Sequence, residues 1–296
     1  MSRTSSPSTG RLYGLARVLN AWKIPRSTYY AQRRRRDDPP ELRKRGPKTL
    51  YTDEELTGRI RHEIGISPFT GEGHRKFWAR LRVAGVRTSK PRVLRLMREA
   101  GLLAPQRQST PVTAKLHTGT IVTDRPNQMW GIDATATVTL DDGQVTVFAA
   151  IDHCTAECVG IHAVKRATRF EALEPIRQGV REYFDGFRAD AADGLQIRHD
   201  HGSQFMSDDF QNEIRFLGME SSPAFVREPE GNGCIERFFK TLKEQLLWVR
   251  HFRSIPELVE ALHEFRALYN HHWLIERLGF EPPAQARQRL ALGTAA

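Results

Sequence analysis

Cysteine is scarce in this chain of 296 residues, and long apolar runs are missing from it. The three cysteines, Cys154, Cys158 and Cys234, are odd in number and form no C-x-x-C pair. A disulfide framework or a cysteine-rich zinc site is therefore not expected. No run of about 18 apolar residues occurs, and the N-terminus lacks the apolar core of a secretory signal. These absences predict a protein of a reducing cytoplasm with no membrane partner.

Acidic residues are few in the first part of the chain. Residues 1–118 hold 26 Lys and Arg against 9 Asp and Glu, a net charge of +17, whereas residues 119–296 hold 19 against 26, a net charge of −7. This uneven distribution indicates that the first part of the chain binds a polyanion. A basic ribosome-associated tail is the alternative, and it is weakened because the basic region also shows helical periodicity.

The first 46 residues are predicted to form a basic helix-turn-helix-like arm. Apolar residues recur at helical spacing from residue 11 to residue 31, which favours two short helices. Ser27 is expected to cap the second helix. The arginine run at residues 33–36 is interpreted as part of a linker that follows DNA phosphates.

Residues 47–104 are predicted to form a helical, helix-turn-helix-like DNA-binding domain. Its first helix is expected to begin after Thr52, followed by an acidic first turn. Dense basic residues lie between the apolar stripes of the later helices, which indicates a DNA-binding surface. A small helical bundle with a solvated basic face is the alternative. Five of these residues are predicted to contact DNA: Arg75, Lys76, Arg80, Arg92 and Arg95.

After a linker predicted over residues 105–125, the pattern becomes β-rich. An alternating run from Asp133, a turn at residues 141–143 and two further β-rich runs predict three meandering strands. A helix, a short strand ending at Asp200 and further helices follow. This element order predicts an α/β catalytic core of the ribonuclease-H-like class over residues 126–290.

Three carboxylates of this core are candidates for metal binding. Asp133 and Asp200 lie in or at the end of predicted strands, and 35 residues separate Asp200 from Glu236. Cleavage and transfer of a phosphodiester need one oxygen activated and another neutralised. Two Mg²⁺ ions roughly 3.5–4 Å apart do both, and they prefer carboxylate ligands. A lone aspartate at a strand end is more often a turn or cap residue, so the prediction depends on the set of three.

The residues around these carboxylates carry a family resemblance. The stretches TDRPNQMWGIDAT, IRHDHGSQF and EGNGCIERFFKTLKEQ resemble the three blocks of the integrase catalytic core. More closely, they resemble the second-frame (OrfB) transposases of the insertion sequence three family. The basic segment EGHRKFWARLRVAGVRTSKPRVLRLMREAGL resembles the helix-turn-helix segment that precedes the core in that family, and YNHHWLIERLGFEPPAQA resembles its terminal block.

This resemblance implies a DDE enzyme with Asp133, Asp200 and Glu236 as the catalytic, metal-binding triad. Its cofactor would be two Mg²⁺ ions, with Mn²⁺ as a possible substitute. Such enzymes bind the terminal inverted repeats of their element, free a 3′-hydroxyl and use it in strand transfer, without a covalent protein–DNA intermediate. The implied partners are double-stranded DNA of the repeats and the target, further copies of the chain in a synaptic complex, and an upstream-frame OrfA protein or fusion. The implied location is the bacterial cytoplasm, with the protein at the nucleoid when bound to DNA.

Two lysines follow the glutamate on a helix predicted over residues 233–248. Glu236, Lys240 and Lys243 are spaced i, i+4 and i+7 and therefore share one face of a regular helix. This spacing favours contact of both lysines with the DNA backbone beside the cleaved bond. An ordinary Glu–Lys surface pair is the alternative.

Two other functions are weighed against transposition. A catalytically weak or domesticated DNA-binding regulator would keep the helical segments and use the core for assembly, but the triad is intact. A ribonuclease-H-type nuclease would not need its own helical DNA-binding segments. The sequence therefore favours a DDE transposase.

Overall fold

The computed structural model describes residues 3–38, 50–105, 121–224 and 232–293. The chain divides into two compact units, residues 1–50 and residues 51–296. The predicted domain boundaries stay a prediction, because residues 39–49 and most of the predicted linker lie outside the described residues. Within the described ranges, no helix has both the length and the apolar character needed to cross a membrane.

The first unit contains the two helices expected from the sequence, α1 (Leu15–Ala21) and α2 (Arg26–Asp37). Two details of the prediction are wrong. Helix α2 begins directly after Pro25, so Ser27 lies inside the helix and does not cap it. The arginine run also belongs to α2 and not to a linker, because arginine favours the helical conformation and Arg33 pairs with Asp37 one turn later at 3.4 Å.

The second unit begins with three helices, α3 (Asp53–Ile66), α4 (His74–Val83) and α5 (Lys90–Glu99). The predicted start of α3 is confirmed. The hydroxyl of Thr52 accepts a hydrogen bond from the backbone N–H of Glu55, and the Glu55 carboxylate accepts one from the backbone N–H of Thr52. The helices share a small apolar core formed by Leu56, Ile60, Phe77, Leu81, Val86, Val93, Leu96 and Met97.

A five-stranded mixed sheet follows these helices. Its strands are β1 (Met129–Thr139), β2 (Gly143–Asp152), β3 (Cys158–Val164), β4 (Gln196–His199) and β5 (Glu220–Pro223). They lie in the order β3-β2-β1-β4-β5, with β1 antiparallel to β2 and parallel to β4. The three meandering strands and the short strand before Asp200 are thus confirmed. Strand β5 was not predicted, because its four residues show no apolar alternation.

Helices cover both faces of the sheet. They are α6 (Arg169–Tyr183), α7 (Asp208–Phe216), α8 (Gly233–Leu242), α9 (Ile255–His272) and α10 (Pro283–Gly293), with a π-helical turn at Lys243–Leu247 and a 3₁₀ turn at Glu276–Leu278. Alternate residues of β2 enter two apolar cores. Val147 and Ala149 pack with α8 and α9, whereas Phe148 and Ala150 pack with α6 and α7. The predicted α/β class, with an all-helical region before it, is confirmed.

The C-terminal block braces the sheet through side chains that bind backbone atoms. The Asn270 amide accepts a hydrogen bond from the N–H of Cys158 and donates one to its carbonyl. The Arg277 guanidinium donates to the carbonyls of His153 and Cys154. These contacts connect the end of the chain to the turn between β2 and β3, where the pairing of these strands is irregular.

Candidate active site

Two of the predicted carboxylates lie on neighbouring strands at the same level. Strands β1 and β4 run parallel, and Gly131 on β1 pairs with Arg198 on β4. Asp133 and Asp200 each lie two residues beyond this pair, Asp133 within β1 and Asp200 directly after β4. The parallel pairing therefore brings together two residues that are far apart in sequence.

The loop after β4 holds Asp200 by short local contacts. The Asp200 carboxylate accepts a hydrogen bond from the N–H of Gly202 at 2.8 Å. A Cβ atom on Gly202 would lie 2.8 Å from this carboxylate and equally close to the Gln204 amide, so a larger residue would displace these two side chains. The buried His199 ring donates from Nδ1 to the Asp200 carbonyl at 2.6 Å, and its Nε2 accepts from the Ser221 hydroxyl at 2.9 Å.

Helix α8 supplies the third carboxylate. One side of this helix is apolar and buried, formed by Ile235, Phe238, Phe239 and Leu242. Glu236 is exposed on the opposite side of the helix. The amide of the buried Asn232, at the N-terminus of α8, donates to the carbonyl of Ile132 at 3.2 Å. This bond attaches the start of α8 to β1 at the residue before Asp133.

Asn232 was not predicted to have a role. Its Oδ1 and the Nε2 of His153 pack over Gly131, where a Cβ atom would lie 2.7 Å from both. Burial lowers the pKa of His153 to about 4, so its ring is neutral at physiological pH. The glycines flanking Asn232 were the only signal in the sequence, and the partner residues are too distant in sequence to be identified from it.

Electrostatics couple the three carboxylates. The pKa of Asp133 is raised to about 6, first by burial and then by the negative charges of Asp200 and Glu236. The hydrogen bond from the N–H of Ala134, at 2.8 Å, opposes this rise. The positive charge of Lys243 also opposes it. Asp133 therefore lies in a local excess of negative charge, which a divalent cation would neutralise.

The carboxylates are not assembled into a closed metal site. Among the residues that the structure describes, no group of three or more His, Cys, Asp or Glu side chains lies close enough to hold a metal ion. Asp200 and Glu236 are both exposed.

The two lysines of the glutamate helix differ in position. Lys240 is exposed on α8. Lys243 begins the π-helical turn and is partly buried, so the regular helix predicted over residues 233–248 changes its winding there. The charge of Lys243 nevertheless acts on Asp133, which places this ammonium group near the carboxylates.

Each of the five basic residues predicted to bind DNA makes an intramolecular ion pair. Arg92 and Arg95 bind Asp53, each at 2.6 Å, and Arg80 and Lys76 bind Glu72 at 3.0 and 3.3 Å. Arg75 binds Glu276 at 2.8 Å. The hydrogen bonds from Arg95 and Arg92 lower the pKa of Asp53 to about 2. The side chains of Lys76, Arg80 and Arg92 are only 17–18% exposed, so these ion pairs stabilise the helices, and DNA contact by the five residues stays a prediction.

Comparison with known families identifies the domains. Two family models described as integrase core domain match residues 123–229 and 217–283. A model described as HTH-like domain matches residues 72–110. The integrase core matches contain all three carboxylates, and the HTH-like match contains α4 and α5.

The chain is also similar to proteins of insertion elements. It is 26% identical to the transposase InsD of insertion element IS2A/D/F/H/I/K from Escherichia coli, over 96% of this chain and 94% of that protein. It is 25% identical to the uncharacterized 48.2 kDa protein of insertion element IS2A from Escherichia coli, over 95% of this chain but only 66% of that longer protein.

Solved structures with similarity include two from retroviruses. The simian T-cell lymphotropic virus intasome in complex with PP2A regulatory subunit B56 gamma is 18% identical, with a TM-score of 0.48, over 77% of this chain and 74% of that chain. The HTLV-2 integrase catalytic core domain in complex with magnesium, in its trimeric form, is 17% identical, with a TM-score of 0.42, over 55% of this chain and 97% of that chain.

The homology to transposases favours DDE transposition over a DNA-binding regulator. The HTH-like domain implies DNA binding, and the family implies oligomeric assembly. Integrase core domains depend on metal ions. The chain therefore combines an HTH-like domain with an integrase core domain, and it is homologous to the IS2 transposases over most of its length.

Proposed function

We propose that this protein cleaves DNA at the inverted repeats of its own insertion element and transfers the freed strand ends, with Asp133, Asp200 and Glu236 as the catalytic residues. The observation that carries the proposal is the convergence of the three carboxylates. The parallel pairing of β1 and β4 brings Asp133 and Asp200 to the same level of the sheet, and Asn232 attaches the start of the helix that carries Glu236 to β1. The pKa of Asp133, raised by burial and by the charges of Asp200 and Glu236, agrees with this arrangement. Converging carboxylates are typical of a site that binds cations at a phosphodiester.

The residues present fit magnesium. The donor set consists of carboxylate oxygens, which are the ligands preferred by Mg²⁺ and Mn²⁺. Asp133, Asp200 and Glu236 would together hold two ions. When bound, the ions would neutralise the charge that develops on the attacking and leaving oxygens of the phosphodiester.

Other residues of the site orient the DNA and the carboxylates. Lys243 and Lys240 are suited to bind backbone phosphates beside the cleaved bond, because one lies near Asp133 and the other is exposed one turn from Glu236. Asn232 holds the start of α8 on β1, and Gly202 leaves space for the Asp200 carboxylate. These residues bring no chemistry of their own, and they set the geometry in which the carboxylates act.

The proposed partners follow from this activity. Double-stranded DNA of the repeats and of the target is the substrate, bound in part by the helices α3–α5. At least two copies of the chain are needed to hold two element ends in one synaptic complex. We propose in addition that an upstream-frame OrfA protein, separate or fused, contributes to recognition of the repeats.

The test uses purified protein and end-labelled DNA carrying the repeats that flank its gene. With Mg²⁺, cleavage at the repeat end followed by joining to a second DNA molecule supports the proposal. Binding of the repeat without cleavage indicates a DNA-binding regulator. Cutting of RNA–DNA hybrids independent of the repeat indicates a nuclease. A mutated repeat of equal length is the matched DNA control.

A further inference from the structure

The loop between α3 and α4, residues 67–73, packs into the α/β core. We name it the plug loop. Its Phe69 is 5% exposed and belongs to the same apolar cluster as Phe238 of α8 and Tyr269 of α9. The Phe69 ring meets the Trp273 ring edge to face, with the centroids 4.8 Å apart. The helices of the HTH-like domain are therefore anchored to the core by an aromatic side chain.

A buried carboxylate fixes the shape of the plug loop. Glu72 is 4% exposed and accepts a hydrogen bond from the Ser67 hydroxyl at 2.6 Å. Arg80 and Lys76, both from α4, form ion pairs with the Glu72 carboxylate, with nitrogen–oxygen distances of 3.0 and 3.3 Å. The Lys76 ammonium also lies over the Trp273 ring of the core, 2.8 Å from its centroid. Because a buried charge is tolerated only when paired, this network holds the loop in one conformation.

One residue joins the plug loop to the helix that carries Glu236. Gln245 lies in the π-helical turn that continues α8. Its Oε1 accepts a hydrogen bond from the backbone N–H of Thr70 at 2.9 Å, and its Nε2 donates to the Thr70 carbonyl at 2.9 Å. Because one side-chain amide binds both the N–H and the carbonyl of Thr70, the two hydrogen bonds fix the orientation of Gln245 relative to the Thr70 backbone as well as the distance between them.

We propose that Gln245 is a positioning residue that sets the distance between the DNA held by the HTH-like domain and the carboxylates, and so selects which phosphodiester is cut. The inference rests on the proposed function. Thr70 lies four residues before the start of α4, and Gln245 follows Glu236 on the same continuous helix. The two hydrogen bonds are thus a direct polar link between the loop that precedes α4 and the catalytic helix, beside the contacts that Phe69, Lys76 and Arg75 make with the core. Their loss removes the polar contact of this loop with the catalytic helix.

The test measures the position of the cut as well as its yield. Wild-type protein, Gln245→Ala and Gln245→Glu are incubated with the end-labelled repeat and Mg²⁺, and the products are separated at single-nucleotide resolution. Gln245→Glu keeps the acceptor and loses the donor. Gln178→Ala is the matched control, because it removes an amide that binds the backbone N–H of Ile161 within the core. We expect wild type and Gln178→Ala to cut at one position.

For Gln245→Ala we expect cuts spread over neighbouring phosphodiesters, with the fraction at the correct one reduced severalfold and binding of the repeat unchanged within about twofold. Gln245→Glu should give an intermediate spread. Phe69→Leu, which loosens the plug loop at another contact, should also spread the cuts. A lowered yield with the cut still at one position would overturn the inference, since it would show a loss of stability only. If wild-type protein does not cut the repeat at all, the proposed function fails instead.

Discussion

Replacement of Asp133 by asparagine should stabilise the metal-free protein. Asparagine has the same shape, and its side-chain oxygen still accepts the hydrogen bond from the N–H of Ala134. It removes the negative charge that burial, Asp200 and Glu236 together disfavour. A catalytic carboxylate held among like charges lowers the stability of the fold, and its removal should recover that free energy.

The magnitude follows from the pKa of Asp133. A rise from 3.8 to about 6 is roughly 2 units, and at about 1.4 kcal/mol for each unit it corresponds to about 3 kcal/mol at pH 7.5. Because Asp133 is partly exposed and water relaxes around it, we expect about 1–3 kcal/mol. The sign is fixed by the direction of the shift. The charge of Asp133 costs wild type no folding free energy below pH 3.8. The cost grows as the pH rises from 3.8 to about 6 and is complete above that pH.

The assay is thermal unfolding of both proteins in EDTA at pH 7.5 and pH 5. At roughly 2–4 °C for each kcal/mol in a unit of this size, the variant should melt several degrees higher at pH 7.5, with about half that gain at pH 5. Added Mg²⁺ should raise the melting temperature of wild type and not that of the variant. Asp185→Asn, at a side chain that is 99% exposed, is the control and should change nothing. Equal or lower stability of Asp133→Asn at pH 7.5 in EDTA would refute the reasoning.

Three further predictions concern the loop after β4, the lysine beside the carboxylates and the packing of the sheet. Gly202→Ala should lower cleavage at least tenfold while repeat binding stays unchanged, because the added Cβ displaces the Asp200 carboxylate; a cleavage time course with a binding control measures this. Lys243→Ala should weaken binding to any DNA sequence and reduce the slope of log affinity against log salt by about 1; an unchanged slope would exclude a phosphate contact. Gly160→Ala should destabilise the fold by more than about 3 kcal/mol, because its Cβ would lie 2.0 Å from the backbone oxygen of Pro175; urea unfolding measures the loss.

Local patterns in the sequence were sufficient for most of the fold. Alternation and turn residues gave the three meandering strands, and the acidic turn after Thr52 gave the start of α3. Elements without such a pattern were missed. Strand β5 is short and polar, and its extended conformation is stabilised by pairing with β4 and not by an apolar pattern of its own. Helix α10 has no apolar stripe that would distinguish it.

The site shows the same division between local and non-local information. The motifs around Asp133, Asp200 and Glu236 located the three carboxylates. Their mutual effect on the pKa of Asp133 depends on contacts between strands and a helix that are distant in sequence. The link between Thr70 and Gln245 spans 175 residues, so no local pattern reports it.

The contacts of individual basic residues were the feature of the structure that the sequence predicted least well. Composition correctly shows that arginine is in excess in the first part of the chain, but it does not show which arginines have acidic partners. Asp53 binds Arg92 across 39 residues and Arg95 across 42. Charge density therefore predicts a DNA-binding segment better than it predicts the individual contacts.

Asp133, Asp200 and Glu236 are proposed to act together as metal-binding catalytic residues. Single-turnover cleavage of the end-labelled repeat in Mg²⁺ tests this proposal most directly, with wild type compared with Asp133→Asn, Asp200→Asn and Glu236→Gln at saturating protein. Each variant should bind the repeat as wild type does and cut it at least about 10³-fold more slowly, because groups that act as a unit fail together. Cleavage by any of the three at more than a tenth of the wild-type rate would show that the carboxylates do not act as a catalytic unit.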